Sequence, residues 1–206
     1  MTTASSDVAF TPSVKAIQAA RGARNACAKQ ETRGGFRTAI DEDLARFLDQ
    51  TDTAYLATAN SNGQPYAQHR GGPKGFIRII DDHTIGFADY VGNRQYISVG
   101  NLAENDKAFL FLMDYAHRRR IKLWGRARVI DDDPALALAL MPAGYRARPE
   151  QVILFEIEAW DVNCPQHIPQ KIDAADVAAA LAQRDARIAA LEAELATLKT
   201  VLRHAS

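Results

Sequence analysis

The sequence predicts a mainly β fold, an antiparallel barrel with flanking helices, followed by a long C-terminal helix. Short strand-like runs succeed one another between residues 53 and 160, and turns such as the Asn-Gly hairpin at 61–64 separate them. The alternation of strands and helices in a doubly wound α/β fold is missing from this region. Residues 173–203 differ in kind, because they are rich in Ala, Leu, Glu and Arg and contain neither Gly nor Pro. That composition is typical of a long helix.

The flanking helices are predicted from capping residues and apolar spacing. The segment Thr11–Ser13 offers a capping hydroxyl and a first-turn proline, which predicts a lead-in helix over residues 13–30. A second helix is predicted over 41–48, because acidic residues crowd its first turn and apolar residues share one face. Asp133 and the proline that follows it predict a brief helix before the last strand.

The strands are predicted wherever runs of strand-forming residues lie between turn signals. They cover residues 53–60, 65–70, 76–80, 85–88, 107–114, 120–130 and 152–160. Three successive hairpins and one further strand result. The predicted organisation is a helical lead-in over residues 1–40, the barrel over 41–170 and the C-terminal helix over 171–206.

The C-terminal helix has coiled-coil character. Its apolar residues alternate spacings of three and four, and Arg184 interrupts one core position. They are Val177, Leu181, Ile188, Leu191, Leu195, Leu198 and Leu202. Since an exposed leucine stripe is unfavourable, we expect the helix either to pair with a symmetry mate or to lie across the barrel.

Composition and charge indicate which classes of binding partner are not expected. The chain has 206 residues, 47% of them hydrophobic, and its 25 basic and 25 acidic residues give a formal net charge of zero. A neutral globular protein has no global field that favours nucleic acid or an anionic membrane, so we expect neither as a partner. No signal peptide or apolar span is evident, and Cys27 and Cys164 are far apart, which favours a cytoplasmic protein with reduced thiols. No histidine or cysteine spacing indicates a metal site.

Residues 85–125 carry the clearest ligand-binding signal. A strand ends at Asp89, and the turn at 92–95 opens a short helix with Arg94 beside its start. Unpaired N–H groups and the positive end of the helix dipole favour an anion there, so Arg94 is a candidate phosphate clamp. A second cationic run, Arg118–Arg120, begins a later strand. Two separated cationic points on a small β scaffold suit a flat, phosphorylated, electron-accepting ligand.

This order of parts resembles the pyridoxamine 5'-phosphate oxidase-related flavin proteins, the FMN-binding split barrels, over roughly residues 40–170. The family's Ser-Arg-Lys pattern falls on Asn93, Arg94 and Gln95, so the arginine is kept and the lysine is not. The family's threonine before that pattern falls on Asp89. The resemblance implies that these residues bind FMN.

A later strand of the family contacts the flavin ring. It falls on Arg119, on Arg120 where a flavin-contacting glutamine stands, and on Lys122. Strand alternation sends Arg120 and Lys122 to one face, where their charges would stabilise an anionic reduced flavin. Trp160 matches a tryptophan that closes over the flavin in the family.

The second strand leads into a further candidate segment, His69–Gly72. Arg70 is the nearest match to a family arginine that reaches the flavin phosphate. The glycines Gly71 and Gly72 permit close approach of a ligand. An ordinary Gly/Pro loop is the alternative interpretation of the same residues.

The segment beyond Trp160 supplies the catalytic candidate. The family's Arg-Leu-His-Asp-Arg signature is absent there, and His167 and Gln170 stand in its place. His167 could move a proton near neutral pH, although a lone histidine is more often structural. Gln170 is a candidate cofactor contact.

Three functions remain open on these residues. The first is an FMN-dependent oxidoreductase that uses a small-molecule substrate or an electron donor such as NADH or NADPH. The others are a non-catalytic flavin-binding or electron-relay protein and a haem-binding split barrel. The resemblance also implies a homodimer that holds two flavins. Pyridoxamine phosphate oxidation itself is disfavoured, because Tyr145, Arg146 and Arg148 do not match the spacing of the family's substrate-phosphate stretch.

Overall fold

The structure of the protein, a computed structural model, describes residues 4–162 and 165–204, so Cys164 lies outside it. The described chain divides into two compact units. The first comprises residues 4–114, 119–162 and 165–166, and the second comprises 115–118 and 167–204. The N-terminal helices therefore belong to the same unit as the strands, whereas the C-terminal helix belongs to the other.

The first unit begins with helical segments. A 3₁₀ helix, Ser5–Val8, precedes two helices, α1 (Pro12–Ala20) and α2 (Arg24–Thr32). The prediction of one continuous helix over 13–30 was wrong. Gly22 adopts a φ of 74°, in the left-handed region that glycine favours, and this turn separates α1 from α2.

The second predicted helix is confirmed as α3 (Glu42–Asp49). The Asp41 carboxylate caps it by accepting a hydrogen bond from the backbone N–H of Leu44 at 3.0 Å. Leu44, Phe47 and Leu48 are buried on one face. Acidic first-turn residues and an apolar face were therefore sufficient to predict this helix.

Seven strands form one antiparallel sheet in the order β2-β1-β5-β6-β7-β4-β3. They are β1 (Thr53–Ala59), β2 (Pro65–Gly71), β3 (Arg78–Ile79), β4 (Thr84–Tyr90), β5 (Lys107–Asp114), β6 (Arg119–Ile130) and β7 (Pro149–Val162). Two helices interrupt them, α4 (Ile97–Glu104) and α5 (Pro134–Ala139). The predicted mainly β, antiparallel fold with flanking helices is confirmed. Strand β3 is shorter than predicted, because Phe76 and Ile77 are buried in the core instead of extending it.

The sheet curves around one core but does not close. Directly paired residues of β1, β5, β6 and β7 form a row of completely buried side chains on the inner face. The row consists of Leu56, Leu110, Leu123 and Trp160. At the two ends of the strand order, β2 and β3 share no backbone ladder among the described residues. The fold is therefore a split barrel with an open side.

The second unit contains the long C-terminal helix that the sequence predicts, α6 (Ala174–His204). Within this unit the backbone N–H of Lys171 donates to the carbonyl of Tyr115 at 3.3 Å, and the Lys171 ammonium lies 4.2 Å from the centre of the Tyr115 ring. The seven apolar residues of the predicted heptads, here called the apolar stripe, are all exposed. None of the described helices combines the length and apolar character needed to cross a membrane.

Gly125 marks the tightest backbone approach in the sheet, at a register shift between β6 and β7. A Cβ at this position would lie 1.9 Å from the carbonyl oxygen of Glu156. We expect Gly125→Ala to lower the free energy of unfolding by about 3 kcal/mol, because the strands must separate locally. Urea denaturation measures this loss.

Gly100→Ala is the matched control for Gly125→Ala. Gly100 lies in α4, and a Cβ there would meet no atom within 4 Å. Alanine is the better helix former, so this variant should gain about 0.5 to 1 kcal/mol. Equal stability losses for the two variants would contradict the role assigned to Gly125.

Candidate functional site

A polar cleft lies where side chains of β2 and β4 meet across the open side of the sheet. Its volume is about 40 Å³, whereas sites for drug-sized ligands measure roughly 300 to 1,000 Å³. The cleft is lined by Gln68, Arg70, Asp89, Tyr90, Gly92, Asn93, Arg94, Tyr96, Ser98, Val99, Glu150 and Gln151. The cleft is therefore suited to one end of a ligand rather than to a whole cofactor.

A buried ion pair forms the base of the cleft. The guanidinium of Arg70 donates to the carboxylate of Asp89, and their side chains are only 12% and 10% exposed. The Gln151 amide donates to the second Asp89 oxygen at 2.9 Å. A further Arg70 nitrogen donates to the Gln68 side-chain oxygen at 3.0 Å, and the Ser98 hydroxyl donates to that same oxygen at 3.0 Å. This network connects β2, β4, β7 and α4.

Two buried polar atoms in the cleft lack a hydrogen-bond partner among the described residues. They are the Nε of Arg70 and the hydroxyl of Tyr90. Burial raises the pKa of Tyr90, and the neighbouring Tyr145 and Asp89 raise it further, so the hydroxyl stays protonated and can donate. Buried donors of this kind normally have a partner, which makes both atoms available to a ligand.

Arg94 supplies the exposed cation of the cleft. Its backbone has a φ of 59°, and Tyr96 two residues later has a φ of 51°. In the turn between β4 and α4, the Asn93 side chain accepts a hydrogen bond from the N–H of Gln95 at 3.2 Å. Tyr96 is the N-cap of α4 but offers no side-chain cap. The cation and the uncapped N–H groups of α4 thus occur together, as the sequence predicts.

The cleft contains as many carboxylates as arginines. Arg70 and Arg94 face Asp89 and Glu150, so the formal charge of its lining is zero. Glu150 accepts a hydrogen bond from the Tyr96 hydroxyl at 2.7 Å, and this bond raises the pKa of Tyr96. Because Asp89 already neutralises Arg70, Arg94 is the principal attraction for an anion.

The second cationic group lies on the outer face of the sheet. Arg120 and Lys122 share that face, as strand alternation predicts. The Lys122 ammonium is 3.1 Å from the Asp161 carboxylate and 5.1 Å from the centre of the Trp124 ring, so its charge is already paired. The buried Nε of Arg120 has no partner in the part of the chain that the structure describes. Arg120 therefore keeps one unused hydrogen-bond donor, whereas Lys122 is already paired.

Arg119 is separate from this outer pair. Its guanidinium lies 5.5 Å from the centre of the Phe47 ring, and Phe47 belongs to the core of the first unit. Alternation along β6 directs Arg119 away from the face that carries Arg120 and Lys122. Arg119, Arg120 and Lys122 match one flavin-contacting strand of the family, but they do not all face the same side of the sheet.

The cleft and the outer cations lie on opposite faces of the sheet. Arg70 is directly opposite Ala54, which is opposite Leu112. Leu112 is in turn opposite Ile121, and the next residue, Arg120, points to the other face. Three strand spacings, about 14 Å, separate them across the sheet. One chain therefore does not bring its two cationic groups into a single pocket.

Trp160 is a core residue in this structure. Its side chain is completely buried, and the indole N–H donates to the carbonyl oxygen of Ala39 at 2.8 Å. The guanidinium of Arg37 covers the ring at 4.5 Å from its centre. The ring therefore has no exposed face in one chain, and burial does not support the prediction that Trp160 covers a flavin.

The glycines at the end of β2 are explained by packing within the chain. A Cβ at Gly72 would lie 2.8 Å from Cβ of Phe76, whose ring is buried in the core. A Cβ at Gly71 would lie 2.8 Å from the ring of His69. His69 itself is exposed and packs edge-on against Tyr55, on the face of β2 opposite Arg70. None of the three lines the cleft.

The remaining predicted site residues, Gln95, His167 and Gln170, are exposed. Gln95 is exposed and does not line the cleft. In the second unit, His167 is exposed with a φ of 62°, and the Gln170 amide donates to the carbonyl oxygen of Ala116 at 2.9 Å. The catalytic role of His167 stays a prediction.

Sequence reasoning missed six polar residues of the cleft. The missed residues are Gln68, Tyr90, Tyr96, Ser98, Glu150 and Gln151. The one available signal was position: Gln68 lies two residues before Arg70, and Tyr96 two residues after Arg94. Glu150 and Gln151 lie in the cleft because β7 pairs with β4. A short sequence motif does not predict this long-range pairing.

Comparison with known proteins gives one family match and a set of similar folds. The family model described as pyridoxamine 5'-phosphate oxidase matches residues 40–164. No curated protein matches the chain. Three solved structures illustrate the similar folds.

The tagged HupZ protein of Group A Streptococcus is 21% identical, with a TM-score of 0.48 over 65% of this chain and 99% of that chain. An FMN-binding protein from Syntrophomonas wolfei is 12% identical, with a TM-score of 0.44 over 58% of this chain and 88% of that one. HutZ, the haem storage protein from Vibrio cholerae, is 12% identical, with a TM-score of 0.41 over 60% and 94%. These similarities concern the fold alone.

The ion pair at the base of the cleft should make the effects of Arg70 and Asp89 substitutions on the free energy of unfolding depend on each other. Arg70→Met leaves the Asp89 carboxylate buried with Gln151 as its donor, and we expect a loss of about 3 kcal/mol in the free energy of unfolding. Asp89→Asn should cost less when Arg70→Met is already present than it does alone. Urea denaturation of the double-mutant cycle measures this coupling. Additive losses would show that the pair does not connect β2 to β4.

Proposed function

This chain belongs to the pyridoxamine 5'-phosphate oxidase family, and we propose that it is an FMN-binding oxidoreductase that acts on a small molecule. The main supporting observation is the exposed Arg94 guanidinium beside the uncapped first turn of α4, in the lining of the polar cleft. A phosphate is held by this combination of a cation and free N–H donors.

The residues of the cleft fit a phosphate group. Arg94 supplies a charge-assisted contact, and the unpartnered Nε of Arg70 and hydroxyl of Tyr90 supply two more donors. The cleft volume of about 40 Å³ suits this end of FMN, so the ring system would lie outside the cleft. The paired Asp89 weakens the attraction, which leaves Arg94 as the main determinant of affinity.

The ring of the same flavin would be met by a second copy of the chain. Arg120 lies on the opposite face of the sheet from Arg70, so one copy does not offer both groups to one ligand. A homodimer with two equivalent sites resolves this, because each copy gives its cleft to one flavin and its outer face to the other.

When bound, FMN supplies redox chemistry that protein side chains lack. This chain's residues would bind the phosphate, place a positive charge beside the ring and leave one ring face open to a substrate. NADH or NADPH is the electron donor we propose to test first. The substrate itself has no recognition group among the residues described above.

A flavin-binding or electron-relay protein without a substrate is the second candidate. The cleft volume of about 40 Å³ favours it, because this volume does not hold a substrate in addition to a phosphate group. A haem site receives less support, since neither histidine nor cysteine lines the cleft. The absorption spectrum of the purified protein separates flavin from haem. Anaerobic mixing with NADH or NADPH then separates an enzyme, whose flavin is bleached, from a passive binder.

Arg94→Ala should weaken FMN binding by about ten- to a hundredfold, or about 1.5 to 3 kcal/mol, through the loss of one charge-assisted phosphate contact. Fluorescence titration measures the affinity. Riboflavin, which lacks the phosphate, should bind weakly to both the variant and the parent chain. Arg128→Ala is the matched control, because Arg128 is exposed and remote from the cleft lining. Equal FMN affinity for the parent chain and Arg94→Ala would remove Arg94 from the site.

Arg120→Gln should lower the midpoint potential of the bound flavin while FMN content stays normal. A cation beside the ring stabilises the negative charge added on reduction, and its loss should shift the potential by about 30 mV, roughly 1.4 kcal/mol for two electrons. Lys122→Gln should shift it less, because Asp161 already pairs with Lys122. Spectroelectrochemical titration makes the comparison, with Arg128→Gln as control. An unmoved potential in Arg120→Gln would place this arginine away from the ring.

A further inference from the structure

The apolar stripe of α6 is exposed and has a coiled-coil period. Its members are exposed by between 42% for Val177 and 67% for Leu202. In heptad notation Leu181, Ile188, Leu195 and Leu202 occupy the a positions. An uninterrupted helix of 31 residues is about 46 Å long, and few helices expose such a seam to water over that length.

We propose that this stripe packs against the same stripe of a second copy in a parallel, in-register, two-stranded coiled coil. The proposal does not depend on flavin binding, because it rests on the residues of α6 alone. Charge at the positions that flank the seam is what selects this partner and this orientation.

In a parallel pair, each g residue faces the e residue five positions later on the other helix. Arg187 at g would face Glu192 of the second copy. Glu194 at the next g would face Lys199 of the second copy. Both contacts join opposite charges, and the two-fold symmetry of the pair repeats each of them. The C-terminal half of the helix is therefore complementary to itself.

The antiparallel alternative lacks this complementarity. Aligning the seam so that Ile188 packs beside Leu191 of the other helix would place Arg187 opposite Glu194, which is favourable. The same alignment would place Asp185 opposite Glu192, which is repulsive. The two contacts offset each other, so charge gives the antiparallel pair no advantage.

Arg184 occupies one d position and locates the weak part of the coil. In the parallel pair it would meet its own copy, which disfavours tight packing at that layer. Asp185 lies 3.3 Å from the Arg184 guanidinium on the same helix and partly neutralises it. The coil should therefore be firmest from Ile188 to Leu202, and a polar core layer of this kind fixes the register.

Cysteine crosslinking of the full chain tests the arrangement. In a background of Cys27→Ser and Cys164→Ser, Leu198→Cys should form an interchain disulfide on mild oxidation, because equivalent core residues are adjacent in a parallel pair. Ala193→Cys is the matched control, since it lies on the side of the helix away from the seam. We expect crosslinking at least tenfold faster for Leu198→Cys. In an antiparallel pair the two Leu198 positions would be about 25 Å apart and would not react.

The second test reverses the charges of a predicted interhelical pair and measures the rate of Leu198→Cys crosslinking. Glu194→Lys should slow crosslinking by about tenfold, and adding Lys199→Glu in the same chain should restore it. Such rescue is not expected from an antiparallel pair, in which Glu194 would face Arg187. Equal crosslinking at residues 193 and 198, or a monomer by sedimentation, would overturn the proposal. A chain that crosslinks but binds no FMN would refute the proposed function and leave the coiled coil intact.

Discussion

The fold depends on how an open sheet keeps its two ends together. No backbone ladder joins β2 to the β3–β4 end among the described residues, so side chains must make the connection. The buried pair of Arg70 and Asp89 does this, supported by Gln68 and Gln151. A buried pair is costly to desolvate and costlier to break, because one partner alone leaves an uncompensated charge. One restraint on the shape of the cleft is therefore electrostatic.

This arrangement limits what the cleft can bind. Arg70 cannot offer its full charge to an anion while it pairs with Asp89, and Glu150 balances part of the charge of Arg94. A phosphate would be held by one exposed cation and several neutral donors rather than by a cluster of free arginines. The same residues thus serve two purposes, since the pair that stabilises the open barrel also shapes the proposed phosphate site.

The sequence predicted features that depend on local chemistry. The helix predicted over 41–48, the Asn-Gly hairpin and the common face of Arg120 and Lys122 follow from acidic first-turn residues, turn type and strand alternation, and all are present. Features that depend on the pairing of distant strands could not be predicted from the sequence. Gln151 donates a hydrogen bond to Asp89 across 62 residues, and the complete burial of Trp160 results from strand pairing. A motif fixes a residue's position along a strand, whereas pairing decides what that residue faces.

Symmetry connects the two proposals about the second copy. A flavin shared between the cleft of one chain and the outer face of another requires each copy to give and receive the same surfaces, which is the property of a two-fold dimer. A parallel, in-register coiled coil is also two-fold symmetric, with its axis along the seam. If both contacts form within one dimer, they must share a single axis. An antiparallel coil would instead set its two-fold axis perpendicular to the helices, so the orientation of the two α6 helices decides the direction of the dimer axis relative to the helix.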